Sequence, residues 1–188
     1  MTVELISVGT ELLLGNIVNT NAAYLSEKCA DLGLSCFYQS VVGDNEERLS
    51  GVLKTALERS DIVILSGGLG PTEDDLTKEV SAKVMGRELS MHEPSKKRIE
   101  EYFSSRNLEL TENNWKQAMV PEGAIVLDNE NGTAPGVIME GEGKKVILLP
   151  GPPNEMIPMF EKQIMPYLSG SDLGMIYSQT VKICGVGE

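Results

Sequence analysis

Basic side chains, histidine and aromatic residues are all scarce in this sequence of 188 residues. Sixteen lysines and arginines are outnumbered by 28 aspartates and glutamates, so the formal net charge is -12 at pH 7. Such an acidic surface repels nucleic-acid phosphates and anionic lipids, which argues against nucleic-acid or membrane partners. An anionic substrate would therefore need a metal ion or backbone N–H groups to offset the acidic charge.

Cysteine and long apolar runs are also scarce. Cys29, Cys36 and Cys184 are odd in number and form no Cys-x-x-Cys pair, which argues against a disulfide framework or a structural zinc site. We expect Cys29 and Cys36 to be small buried hydrophobic residues. No apolar run reaches the ~20 residues needed to cross a bilayer, and the first residues do not resemble a signal peptide. These features predict a cytoplasmic protein.

Strand and helix patterns alternate over the first 86 residues. Strands are predicted at 3–8, 34–42 and 61–65, and each is followed by an amphipathic helical pattern. Residues 19–21 supply candidate caps for the first of these helices. The third strand is almost wholly apolar, as expected for a strand that is buried on both faces. This order predicts an α/β fold with three layers, α/β/α, around a mostly parallel sheet.

The second half of the sequence is less regular. Residues 88–122 are polar and predicted to be helical, whereas residues 137–139 and 145–149 flank a Gly-Glu-Gly turn and predict a hairpin. A last helix is expected to stop near Pro166. We expect one domain over residues 1–168. Residues 169–188 are then predicted to be a linker and the first strand, at 176–186, of a truncated second module.

Unusual loops follow four of the predicted strands, at residues 9–11, 43–44, 67–75 and 150–155. Ligands of open α/β sheets bind beyond the carboxyl ends of the strands, so we expect these loops to converge. In the third loop, glycines allow close backbone approach and the following helix start offers N–H groups, which together predict a phosphate site. The loop is neither a dinucleotide-binding nor a Walker motif.

Acidic residues in these loops have two interpretations. Asp74 and Asp75 are predicted to lie in the first turn of the next helix, where negative charge is favourable, and Asp44 or Asn45 can cap the helix after the second strand. Alternatively, carboxylates beside a phosphate site bind a cation, and Mg²⁺ at a diphosphate usually has carboxylate and water ligands. The residue types leave both interpretations open.

Four segments resemble the N-terminal domain of the CinA family, which is named for competence and damage inducibility. They are SVGTELLLGNIVNTN at 7–21, SGGLGPTEDDLT at 66–77, NGTAPG at 131–136 and LPGPPNEM at 149–156. The resemblance spans residues 3–168 and implies the molybdopterin-binding-domain-like fold shared with MogA and MoeA. It also leads us to expect a homo-oligomer.

The resemblance further implies a metal-dependent ADP-ribose pyrophosphatase that forms AMP and ribose 5-phosphate. It implies that Asp44 and Asp75 are the catalytic residues and the ligands of a divalent metal such as Mg²⁺. The implied substrate-binding residues are Thr10, Glu11, Asn19, Asn21, Gly67, Gly68, Gly70, Thr72, Thr133, Gly151, Pro152, Asn154 and Glu155.

Two other functions stay open at this point. The fold implied by the resemblance is compatible with molybdopterin binding or adenylylation in molybdenum cofactor synthesis, although the long motif at residues 9–21 disfavours it. The domain could also be a non-catalytic, nucleotide-sensing module of a competence system. Hydrolysis of an ADP-sugar is the leading hypothesis.

Overall fold

A six-stranded sheet forms the centre of the protein in a computed structural model, which describes residues 1–170. The strands are β1 (Thr2–Val8), β2 (Ser35–Val42), β3 (Ile62–Ser66), β4 (Leu89–Met91), β5 (Met119–Pro121), β6 (Ile125–Leu127), β7 (Gly136–Gly141) and β8 (Lys144–Leu149). The central sheet has the order β2-β1-β3-β8-β7-β6, and β4 pairs with β5 separately. Strands β2, β1, β3 and β8 are parallel, whereas β7 and β6 are antiparallel additions at one edge.

Helices cover both faces of the sheet. They are α1 (Thr10–Leu13), α2 (Thr20–Asp31), α3 (Glu46–Arg59), α4 (Thr77–Val84), α5 (Glu93–Ser105), α6 (Pro153–Met159) and α7 (Met165–Ser169), with a 3₁₀ helix at Glu112–Ala118 and a π-helical turn at Phe160–Ile164. One core contains Leu25 of α2 and Phe160, and the other contains Leu53 of α3 and Val80 of α4. The predicted three-layer fold with a mostly parallel sheet is confirmed.

Asparagine side chains cap the helices α2 and α3. The Asn19 side chain accepts a hydrogen bond from the Ala22 N–H at 3.2 Å, and that of Asn45 accepts one from the Arg48 N–H at 3.0 Å. These bonds satisfy N–H groups that have no partner within the helix. Of the two candidate caps of α3, the structure confirms Asn45, and the interpretation of Asp44 as the cap is wrong.

Residues 88–122 are only partly helical, so the prediction for this segment is corrected. Strand β4 pairs antiparallel with β5, and Leu89 lies opposite Pro121. The two strands have three residues each and are separated by α5 and the 3₁₀ helix. A run of three residues is too short to show the alternation of a strand, which explains why the pattern was missed.

The last helical segment passes the predicted stop at Pro166. That residue lies in the first turn of α7, which ends at Ser169. The residues before it, Phe160–Ile164, form the π-helical turn, so the helical segment continues past this proline. Apart from Ser169 and Gly170, the predicted linker and the strand at 176–186 lie outside the described residues, and the division of the chain into two modules stays a prediction.

The two cysteines in the described residues have different surroundings. Cys29 is fully buried on α2, and burial raises the pKa of its thiol to about 12, as expected for an inert core residue. Cys36 lies on the edge strand β2 and is only half-buried, so the expectation of burial is wrong for it. Cys184 lies outside the described residues. Within residues 1–170, no helix has the length and apolar character needed to cross a membrane.

Candidate functional site

A cavity of about 430 Å³ lies beyond the carboxyl ends of β1, β3 and β8. These strands are parallel, so their carboxyl ends meet at one edge of the sheet and bring the loops that follow them together. The predicted site residues that line it are Glu11, Asp44, Gly67, Gly68, Gly70, Thr72, Asp75, Thr133, Gly151, Pro152 and Glu155. The predicted convergence of the loops is therefore observed.

Four predicted site residues do not line this cavity. Thr10 donates hydrogen bonds to Asp44, which does line the cavity. Asn154 is exposed, and its carbonyl accepts a hydrogen bond from the Asn131 side chain at 2.6 Å. Asn19 and Asn21 line a neighbouring cavity of about 300 Å³.

The Asp44 carboxylate is held by a threonine from the loop after β1. The Thr10 N–H and hydroxyl both donate to Oδ2 of Asp44, at 2.9 and 2.8 Å. Oδ1 accepts no hydrogen bond from residues 1–170, so it is free for a ligand. Hydrogen bonds to the charged form keep a carboxylate in a fixed orientation.

Asp75 is held in the same manner by Thr72, whose N–H and hydroxyl donate to Oδ2. Its Oδ1 likewise accepts no hydrogen bond from the described residues. Helix α4 begins at Thr77, so Asp74 and Asp75 precede the helix and the prediction that they lie in its first turn is wrong. The hydrogen bonds between Thr72 and Asp75 form a turn. Such local bonds compete with helix formation, so the helix starts after the turn.

The glycine loop passes very close to the backbone and side chains beneath it. Gly67 and Gly68 have φ values of +104° and +67°, and a Cβ at either position would overlap Val8 O or the Thr77 hydroxyl, respectively. Only glycine combines this backbone conformation with such close contact. The loop therefore requires glycine at both positions for steric reasons.

Fewer N–H groups are available for phosphate than the sequence predicts. The Gly67 N–H donates to Leu149 O at 3.0 Å, and the Thr77 N–H at the start of α4 donates to Gly68 O at 3.1 Å. Neither N–H group can bind a phosphate oxygen unless its present hydrogen bond breaks. The prediction that the Gly67 N–H and the start of α4 bind phosphate is therefore corrected. The N–H groups of Gly68, Leu69 and Gly70 have no acceptor within residues 1–170.

Asn129 forms hydrogen bonds with three residues that line the cavity, Gly132, Ala134 and Glu155. Sequence reasoning missed Asn129. Its buried side chain donates to Ala134 O at 2.8 Å and to Oε2 of Glu155 at 2.7 Å. Its Oδ1 accepts hydrogen bonds from the backbone of Asn131 and Gly132. An asparagine just before a Gly-Thr turn is the signal that could have revealed it, because asparagine often bonds to the backbone two residues on.

Two lysines connect the loop at 67–75, the segment at 112–118 and α4, and neither was predicted. The Lys116 ammonium donates to the carbonyls of Thr72 and Asp75 at 2.7 and 2.6 Å. Lys78, on α4, is buried and donates to the carbonyls of Gln117 and Lys116 at 2.8 and 3.3 Å. Both ammonium groups bind backbone oxygens. The segment also contributes Gln117 to the lining of the cavity.

The cavity is acidic. Its lining contains the carboxylates of Glu11, Asp44, Asp74, Asp75 and Glu155, and within the described residues no lysine or arginine is part of it. Residues 1–170 also contain no group of three or more His, Cys, Asp or Glu side chains arranged to hold a metal ion. A cation here would therefore take its remaining ligands from water and substrate, as Mg²⁺ commonly does.

Comparisons with known proteins identify the class of this domain. Residues 4–170 match the family described as "Probable molybdopterin binding domain". The fold resembles that of the tungsten cofactor synthesizing protein MoaB from Pyrococcus furiosus, with a TM-score of 0.57 and 20% identity over 90% of this chain and 96% of that one. The fold and the site thus define an α/β domain of the molybdopterin-binding type.

Closer relatives give the particular family. The chain is 37% identical to the protein CinA from Thermoplasma acidophilum, a protein described as of unknown function, with a TM-score of 0.82 over 88% of this chain and 98% of that one. It is 57% identical to a CinA-like protein of Dictyoglomus turgidum and 55% identical to one of Kosmotoga olearia, over all of this chain and 46% of each relative. The chain belongs to the CinA family. It spans about half the length of these curated relatives.

Proposed function

We propose that this chain hydrolyses the diphosphate of ADP-ribose to AMP and ribose 5-phosphate. The observation that carries the proposal is the presence, in one cavity, of unpaired glycine-loop N–H groups and of two carboxylates held by threonines. The N–H groups suit the oxygens of a phosphate. The carboxylates suit a cation and a water molecule beside it.

A divalent cation fits the chemistry of this site. The diphosphate would otherwise enter a cavity whose ionisable lining residues are mostly carboxylates, and like charges repel strongly where water is partly excluded. Asp44 and Asp75 would hold the cation through Oδ1, since Oδ2 of each is already hydrogen-bonded to a threonine. A bound cation neutralises the diphosphate and lowers the pKa of the attacking water.

The remaining steps fall to the residues of the chain. A water oxygen attacks one phosphorus, the bond from that phosphorus to the bridging oxygen breaks, and the second phosphate leaves with the bridging oxygen. The proton lost by the water passes to a carboxylate of the cavity. The N–H groups of Gly68 and Gly70 stabilise the charge that develops on the phosphate oxygens.

The test is incubation of the 188-residue chain with ADP-ribose and Mg²⁺, with AMP measured by chromatography. We expect metal-dependent release of AMP that chelation abolishes, and Asp75→Asn to lower the rate by about 100-fold. Asp31→Asn is the matched control, because Asp31 lies at the far end of α2, where it pairs with Lys28. Absence of AMP with the wild type, or equal rates for the two variants, contradicts the proposal.

Molybdopterin binding is the second candidate, and the family match over residues 4–170 favours it. It differs from the first in its ligand, so a titration with molybdopterin distinguishes the two. Tight molybdopterin binding without release of AMP would support this alternative.

A nucleotide-sensing role without catalysis is tested by Asp75→Asn in cells, where loss of hydrolysis with unchanged competence phenotypes would favour it.

A further inference from the structure

Strand β2 forms one edge of the central sheet and contains no charged residue. Within residues 1–170 it pairs with β1 alone, so the N–H and C=O groups on its outer side have no strand beside them. Natural proteins keep edge strands short or place charges on them, because a long uncharged edge pairs readily with another strand. Strand β2 has eight residues, SCFYQSVV, and is neither short nor charged.

The opposite edge of the same sheet is protected in the usual manner. Strand β6 has three residues, and the Asp128 that follows it pairs with Arg98. The Asp128 N–H also donates to the side chain of Gln163 at 2.9 Å. Of the two edges, β2 is therefore the one that is open to a further strand.

The lack of charge extends beyond β2. Residues 12–26 and 32–43 contain no Asp, Glu, Lys or Arg, although 23% of the chain is charged. The two segments meet in the structure, since the Gln39 side chain donates to the Ser26 hydroxyl at 2.6 Å. We call them together the uncharged surface. Seven of the eleven exposed large apolar side chains in the described residues belong to it: Leu13, Leu14, Ile17, Val18, Phe37, Tyr38 and Val41.

The charge of the chain makes a second copy the partner that fits this surface. Two copies with a formal net charge of -12 each repel one another wherever their carboxylates come close. The uncharged surface lets them approach, and the Arg59 guanidinium over the Tyr38 ring at its border is itself paired with Glu4. Partners in a stable interface contribute about 20–30 residues each, and the uncharged surface is of this size.

We propose that two copies of this chain join their β2 strands antiparallel about a twofold axis at Gln39, so that the two sheets become continuous. A strand edge offers both donors and acceptors, so one twofold axis satisfies both copies. In this register Phe37 of one copy lies opposite Val41 of the other, which places apolar residues together. The expectation of a homo-oligomer specifies no surface, and this proposal is independent of the proposed function.

The first test measures the mass of the 188-residue chain by sedimentation over a concentration series. We expect a dimer, and we expect Phe37→Glu to raise its dissociation constant by about 100-fold, because the symmetry brings two carboxylates into an apolar interface. Val41→Glu should act in the same direction. Ile125→Glu is the matched control, since it adds the same charge at a residue that is 44% exposed on the other edge strand. Circular dichroism checks that each variant folds.

The second test examines the register by disulfide formation. Residues directly opposite each other in antiparallel strands have Cα atoms about 4.5–5.5 Å apart, which a disulfide can span. Gln39→Cys should therefore form a linked dimer on a non-reducing gel. Phe37→Cys is its control, because the two introduced thiols would lie about 14 Å apart along the strands.

A wild-type chain that stays monomeric overturns the proposal. Equal dissociation constants for Phe37→Glu and Ile125→Glu would show that the copies meet elsewhere and overturn it as well. Linkage of Phe37→Cys as readily as Gln39→Cys would overturn the register about Gln39.

Discussion

Thr72 donates both its backbone N–H and its hydroxyl to a single oxygen, Oδ2, of Asp75. Thr10 makes the same pair of bonds to Oδ2 of Asp44, although these two residues are separated by 34 positions in the chain. Each carboxylate of the candidate site is thus oriented by a threonine and keeps one oxygen free. Loops after three parallel strands supply these four residues.

Replacing Thr72 by valine tests whether this orientation matters for activity. Valine has a similar shape and keeps the backbone bond, but it removes the hydroxyl bond to Asp75. A hydrogen bond to a charged group contributes about 1.5–3 kcal/mol, so we expect the rate of ADP-ribose hydrolysis to fall by about tenfold or more. Thr72→Ser should retain most of the rate. The measurement is kcat, with the melting temperature as a check that both variants are folded.

Gly70→Ala should inactivate the site without unfolding the protein. A Cβ at Gly70 would overlap the Asp75 carboxylate, which must then move. A displacement of about 1 Å at a reacting group can lower a rate by about 100-fold, and we expect a loss of that size. An activity close to that of the wild type would show that the position of Asp75 is not critical.

Gly51→Ala serves as the control for that glycine substitution. Gly51 lies inside α3, and a Cβ there would meet no atom within 4 Å. Alanine in an exposed helix interior is more stable than glycine by about 0.5–1 kcal/mol. We therefore expect a higher free energy of unfolding in a urea titration, with unchanged hydrolysis.

Lys116→Met should reduce hydrolysis more than it reduces stability. The Lys116 ammonium bonds to the carbonyls of Thr72 and Asp75, and it lies 3.6 Å from Oε1 of Glu79. Methionine keeps the length of the side chain but frees the turn that carries Asp75, so we expect kcat to fall by about tenfold. Lys116→Arg can bond to the same carbonyls and should recover part of kcat. If both variants lower only the melting temperature, Lys116 has no role in positioning Asp75.

Lys78 should make the stability of the protein depend on pH in the alkaline range. Burial lowers the pKa of Lys78 from 10.5 to about 8. Between these values the unfolded chain binds more protons than the folded one, so the free energy of unfolding rises with pH. The shift corresponds to a rise of about 3 kcal/mol between about pH 8 and pH 10.5.

The measurement compares urea titrations of the wild type and Lys78→Met across this range. Other groups titrate in both proteins, so the difference between their free energies of unfolding isolates Lys78. We expect this difference to shift in favour of the wild type as the pH rises. A difference that does not change with pH would mean that Lys78 titrates alike in the folded and unfolded chains.

Much of the fold could be predicted because its elements carry long local patterns. Strand β3 was recognised from its apolar run, and α2 and α3 from apolar residues at helical spacing next to asparagine caps. The pairing of β4 with β5 could not be recognised, since each has three residues and the partner lies about 30 positions away. A pairing at that distance depends on how α5 and the 3₁₀ helix pack.

The site was predicted in part for a similar reason. Glycines and carboxylates after parallel strands indicate where a ligand binds, because the topology brings the strand ends together. The pattern did not show that the Gly67 N–H is already bonded to Leu149 O. It also did not show that Asn129 contacts Glu155, or that Lys116 reaches the turn at Asp75 from another segment.

The sequence alone determined the α/β class and the loops at the strand ends. It also determined that an anionic ligand would need a metal ion or backbone N–H groups to offset the acidic charge. Each of these follows from composition or from patterns within one segment. Only the tertiary structure decided which N–H groups are free, which oxygen of Asp44 and Asp75 is available, and that a second apolar cavity adjoins the first. These properties depend on hydrogen bonds and contacts between segments that are far apart in the sequence. Patterns within one segment do not show which of those segments meet in the folded chain.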